Sequence, residues 1–159
     1  MDIFIRHRNT LETVRRLLWL IIFLGLIGIQ AELVIEKHTE TIWQIIPVLL
    51  IALALVVLGW IYVDQRGAPV RVWQVLMLLF VLSGFVGFGL HWRGKIEFKR
   101  ESDSSLSGAR LFWEAMKSQS PPALAPGAMI QLGLLGLVYA YRHPALRPGP
   151  KGVSGGGNE

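Results

Sequence analysis

The residues with the widest chemical reach in this chain sit in one polar interruption, ELVIEKHTETIWQ (residues 32–44), where Glu32, Glu36, His38 and Glu40 crowd together. Imidazole and carboxylate ligands suit zinc, copper or manganese. His91 and Glu97 could join them if the fold brings the two segments together. The candidate set for a metal or small ligand is therefore His38, His91, Glu32, Glu36 and Glu97. Their spacing matches no compact metal motif, and a turn between two apolar runs must be polar for hydration alone. The balance falls toward a wet turn with local salt bridges.

Other chemistry is thinly represented. The chain has no cysteine, which excludes disulfides, thiolate metal sites and cysteine nucleophiles. Its serines stand in no nucleophile elbow and its glycines in no phosphate loop. Haem held within a bilayer commonly needs facing histidines at depth, whereas His91 stands at the rim of one apolar block and His7 and His143 lie beyond the ends of others. A non-enzymatic protein without a cofactor is expected. The net charge is +5, but Lys and Arg flank the apolar blocks and form no stripe, so nucleic acid is not the expected partner. The expected partner is the lipid bilayer.

The elements that must position these residues are legible as apolar blocks. Hydrophobic residues make up 52% of the 159-residue chain and charged residues 17%, fewer charges than a soluble domain carries. The apolar residues gather into spans at about 17–34, 45–63, 72–90 and 123–141, with no charge in mid-span. Each is near the ~20 residues a helix needs to cross ~30 Å of hydrocarbon, where only helices and closed barrels satisfy their backbone groups. The fold class expected is an all-α membrane protein, a bundle of four transmembrane helices with a short interfacial helix in the second outer loop. Residues 1–148 form a single membrane domain and 149–159, rich in Gly and Pro, a flexible cytoplasmic tail.

The first block does not read as a cleaved leader, because Ile29 is bulky for the position three before a cut after Ala31. Arg6, Arg8, Arg15 and Arg16 precede it and Lys37 alone follows it, which places both termini in the cytoplasm by the positive-inside bias. Trp19, Trp43, Trp60, Trp73 and Trp92 fall near span ends, at the headgroup level that such rings favour. Asn9 with Glu12 has the spacing of a helix start.

The outer loop, 91–122, carries two patterned stretches. KIEFKRE alternates charged and apolar residues as a short strand does, and would need a partner strand. SLSGARLFWEAMKSQ reads as a short helix with Leu106, Ala109, Phe112, Trp113 and Met116 on one stripe, fit to lie in the membrane interface or to pack down on the protein itself. Between spans, Gly25 with Gly28, Ser83 with Gly87, and Gly133 with Gly136 supply small faces. Gln30 and Gln131 fall at similar depth, which predicts a structural amide pair between spans one and four.

GLHWRGKIEF, PALAPG and YRHPAL resemble segments of uncharacterised small four-span bacterial membrane proteins. The likeness covers the last two spans and the loop between them. It implies a multi-pass protein of the bacterial inner membrane and carries no chemistry with it. Three functions are compatible with these features. The leading one is a non-catalytic accessory or scaffold subunit that docks against a larger membrane complex. The others are an outer-face metal or small-ligand binder, and a small transporter acting as a homo-oligomer.

Overall fold

The computed structural model describes residues 2–64, 66–117 and 124–147, with side chains described from Thr10 onward and, in the last long helix, from Ala125. Every regular element among them is helical: α1 (Asp2–Ile35), α2 (Ile42–Val63), α3 (Gly67–Ser102), α4 (Gly108–Met116) and α5 (Leu124–Ala140), with a final 3-10 turn at Pro144–Leu146. The expected tail at 149–159 lies outside the described residues. α1 over Thr10–Ile35, α2 and α3 are long and apolar enough to cross a membrane. α5 has 17 residues, about 25 Å of helical rise, somewhat short of a bilayer's hydrocarbon thickness.

The four long helices form a ring. α1 touches α2 and α5, and α3 touches α2 and α5, so that α1 and α3 stand on a diagonal. α4 packs on α3 alone. The chain alternates direction, so one end of the bundle, the terminal end, gathers the start of α1, the α2–α3 connection and the close of α5. The opposite loop end carries the α1–α2 turn and the α3–α4 connection.

α1 from Leu17 to Ile29, and α2, are apolar nearly all round, so hydrophobic period alone chooses no inward face. Packing chooses Ile22, Leu26 and Leu33 on α1, and Ile51, Ala54, Leu58 and Ile61 on α2. Trp73 and Tyr139 apart, no side chain with a polar or charged group is buried among the described residues. Large apolar side chains such as Leu24, Leu53, Leu82 and Val138 stay half exposed or more around the outside. That continuous apolar girdle far exceeds what a soluble monomer shows.

The tightest seam joins α3 to α5. A Cβ built on Gly133 would stand 2.8 Å from the Met77 carbonyl oxygen, and one on Gly84 2.8 Å from that of Pro126. Across this glycine-lined contact the buried Trp73 donates its indole N–H to the Gly136 carbonyl at 2.9 Å and meets the Tyr139 ring edge-on. At the terminal end, the Arg15 guanidinium donates to the carbonyls of Tyr141 and Arg142, at 3.4 and 3.0 Å, and so caps the close of α5.

Five expectations change. α1 is already helical at Asp2 and runs through Asn9, so Asn9 is no cap; asparagine costs a helix interior only a few tenths of a kcal/mol. KIEFKRE is not a strand but the helical continuation of α3. A lone strand has no partner there, whereas the helix extends at once and gains the Arg93–Glu97 ion pair one turn apart, at 2.8 Å. α4 turns a different stripe inward: Leu111 and Ala115 are buried, while the expected Ala109, Phe112 and Trp113 are exposed and Leu106, just before the helix, is buried as expected, because the extended α3 supplies the surface they pack on. Gly28 faces open space, so the small face with Gly25 is not a paired one; Gly25 alone meets a neighbour, Leu132 of α5. Lastly, Gln30 and Gln131 do not pair. The Gln30 Oε1 is buried without a hydrogen-bond partner and Gln131 is exposed, since α5 turns Met129 and Leu132 inward and so rotates Gln131 out.

Candidate functional site

At the loop end the bundle opens into a cavity of about 730 Å³ between all four long helices. The α3 wall runs Ser83, Gly87, Leu90 or His91, Gly94 or Lys95, Phe98. This is one helical face at three- and four-residue spacing, with glycine where space is needed. A Cβ on Gly87 would make only ordinary contact with Pro126, and one on Gly94 would meet nothing. From Ser83 to Lys95 the helix rises ~18 Å, which sets the depth. Ile29 and Leu33 of α1, Ile46 and Pro47 of α2, and Pro126 and Met129 of α5 make the remaining walls largely apolar. Pro47 has no N–H to give the carbonyl of Trp43 four residues earlier, and both residues line the cavity.

Polar groups concentrate at the mouth: His38, Thr41, Gln44, His91 and Lys95. His38 is aimed by backbone geometry. α1 ends in a Schellman motif, in which the N–H of His38 bonds the Leu33 carbonyl at 2.9 Å and that of Lys37 the Val34 carbonyl at 3.2 Å. Lys37 takes the left-handed conformation the motif requires, φ 50°. The residue after it folds back over the helix end, and His38 and Leu33 line the cavity together. Gln44 is fixed by its own Oε1, which accepts from the N–H of Glu40 and of Thr41. A left-handed lysine costs ~1 kcal/mol relative to glycine. Lys37→Gly is therefore expected to raise stability by a few tenths to about 1 kcal/mol in thermal unfolding and to leave the turn unchanged; a loss would mean that the lysine side chain has a further role.

The structure brings together part of the expected ligand set. His38 and His91, 53 positions apart in sequence (91 − 38), face each other with ring centroids 6.4 Å apart and planes 22° from parallel. Glu36 lies close enough to act on His91 electrostatically. Glu97 is held by Arg93 one turn back on α3, and Glu32 is exposed on α1. Among the described residues no group of three or more His, Asp or Glu side chains converges as a metal site would require. What the site offers is two facing imidazoles, an ammonium, an amide and a hydroxyl above an apolar cup. Lys95, Gln44 and Thr41 were not among the candidate residues in sequence. The one signal for Lys95 was its place one turn after His91 on the same helix face.

A second cavity, about 890 Å³, lies at the terminal end among Glu12, Arg15, Arg16, Trp19, Tyr62 and His143. Its charges oppose one another, and Arg15 is already committed to the end of α5, so it is the weaker candidate. His143 there accepts the Ala145 N–H on Nδ1 at 3.2 Å, which leaves the proton of the neutral ring on Nε2. Burial first, and the Arg15 charge second, hold its imidazole below the usual 6.5. The unfolded chain then takes up this proton more readily than the folded one. Stability is expected to fall as pH drops from about 6.5 toward the lowered value and to level off below it. An NMR titration of His143 should give a midpoint under 6.5; a midpoint at or above it would contradict this packing.

Compared with protein-family models, with curated proteins and with solved structures, the chain matches none.

Proposed function

We propose that this is a four-span integral membrane protein that holds a single-chain amphiphile in the loop-end cavity, tail down among the apolar walls and head at the mouth. The carrying observation is the cavity itself, about 730 Å³, within the ~300–1,000 Å³ of small-molecule sites, with its polar groups, the deep Ser83 hydroxyl apart, gathered at one end. On this reading α5 is the fourth span: it sits in the ring beside α1 and α3, and Leu134 and Val138 extend the apolar girdle. The positive-inside bias puts the termini on the cytoplasmic side and the cavity mouth on the outer face, and the sequence resemblance favours a bacterial inner membrane.

The test is occlusion. Gly87→Leu projects a side chain into the cavity from a position with room for its Cβ. Binding of a sixteen-carbon amphiphile to the full-length protein in detergent, read by native mass spectrometry, is expected to weaken at least tenfold. Equal binding by the variant would overturn the reading.

The docking-subunit reading draws on a different observation. Phe88, Trp92, Phe112 and Trp113 form a continuous aromatic ladder with successive centroids 6.3, 4.8 and 5.8 Å apart, and Phe112 and Trp113 are exposed. A protein-docking face would make the double variant Phe112→Ala with Trp113→Ala change the native mass of the extracted assembly. An unchanged mass assigns the ladder to lipid headgroups, where aromatic rings also favour the interface.

A further inference from the structure

We infer that the amphiphile carries an anionic head, a carboxylate or phosphate on one long chain. The inference rests on the cavity-binding reading above and adds the chemistry of the ligand. Among the described residues lining the cavity, the only ionisable side chains are His38, His91 and Lys95, and no carboxylate is among them. Glu36 acts electrostatically on His91 but stands outside the lining. The one lysine or arginine presented to a ligand is therefore Lys95, half-buried on α3.

The position of that charge matters more than its sign alone. Lys95 stands one helical turn beyond His91, and the His38–His91 pair closes the same rim from the α1–α2 turn. An anion at this level can accept from the ammonium and from an imidazole N–H on each side, charge-assisted bonds stronger than neutral ones. A neutral head has only the weaker bonds. The tail discriminates little, because leaving a bilayer or micelle for an apolar cup exchanges one apolar surrounding for another. Selectivity must then reside in the head and in Lys95. A cationic head would meet the ammonium with no carboxylate in the lining to offset it.

The experiment compares palmitate, hexadecyl phosphate, hexadecanol and hexadecyltrimethylammonium on the full-length protein at pH 7.5 and low salt, by native mass spectrometry with titration. One or both anions are expected to bind at least tenfold more tightly than hexadecanol, and hexadecyltrimethylammonium more weakly than either. Whichever anion binds more tightly separates a carboxylate from a phosphate source. Lys95→Gln should remove most of the anion preference and leave hexadecanol binding in place, which also reports that the variant is folded. Lys95→Arg should restore the preference. Equal affinity for hexadecanol and the anions would overturn the anionic head but leave the amphiphile cavity standing. No binding of any of the four to the wild-type protein would overturn both.

Discussion

Replacing Gly133 by alanine is expected to destabilise the bundle by about 1–3 kcal/mol, the usual cost of overpacking a filled interior, and replacing it by leucine to prevent the native seam from forming. The new Cβ would stand 2.8 Å from the Met77 carbonyl oxygen and 3.1 Å from the Phe80 Cβ. The oxygen belongs to the backbone of a continuous helix and cannot rotate away as a side chain could. Relief requires α3 and α5 to separate along their length, which loosens the Trp73 and Gly84 contacts as well. Helices in lipid lack a hydrophobic drive to associate and depend on close packing, so this seam is the place where one methyl group has the greatest leverage. Gly28→Ala and Gly89→Ala are the controls, since a Cβ at either position meets nothing within 4 Å. They should be neutral or stabilising by up to ~1 kcal/mol through helix propensity. Unfolding of the purified protein in detergent measures all three. Should Gly133→Ala match the controls, α3 and α5 are not as close as described.

Trp73→Ala carries the second large effect. Trp73 is fully buried, touches α5 through Tyr139, and spends its indole N–H on the Gly136 carbonyl. Truncation leaves a large void and removes an interhelical hydrogen bond, together about 3–5 kcal/mol. Trp73→Phe keeps much of the ring and loses the N–H, so its cost should lie nearer 1–2 kcal/mol. The two variants thus divide the contribution of the packed ring from that of the bond. A phenylalanine variant as unstable as the alanine one would mean that the hydrogen bond, and not the ring volume, dominates. The glycine and tryptophan effects are expected to be non-additive, because Gly136 lies against Trp73 and Met77 on the seam that Gly133 also keeps close.

The Gly133–Gly136 face was legible as a packing surface, but its partner helix and the cavity were not, and the reasons are specific. Gly84, Gly133 and Gly136 have small side chains like Gly28 and Gly89, yet only the first three meet another helix. The Ser83–Gly87 face was legible as a small-residue surface, but both residues line the cavity, with only ordinary contact between Gly87 and Pro126. The pairing of Gln30 with Gln131 followed from depth alone; depth is set by helical rise, whereas the rotation of α5 is set by its packing. The alternation in KIEFKRE is real in sequence and irrelevant in a chain already helical on its N-terminal side. His38 and His91 were both legible as chemistry-bearing residues. Their meeting depended on the Schellman turn at Lys37, where a lysine occupies a position for which glycine is the usual signal.

By itself the sequence determined that this chain is helical, apolar enough to cross a membrane in α1, α2 and α3, and polar at the turn that carries His38. Those properties follow from composition along the chain, since lipid leaves the backbone few alternatives to helix and hydration keeps charged turns out of the apolar spans. Tertiary structure decided which face of each apolar helix points inward, which glycines are contacts and which are space, and that two distant imidazoles and a lysine share one rim. On a helix that is apolar all round, rotation about its own axis leaves no trace in the hydrophobic pattern; only packing against its neighbours in the ring selects it.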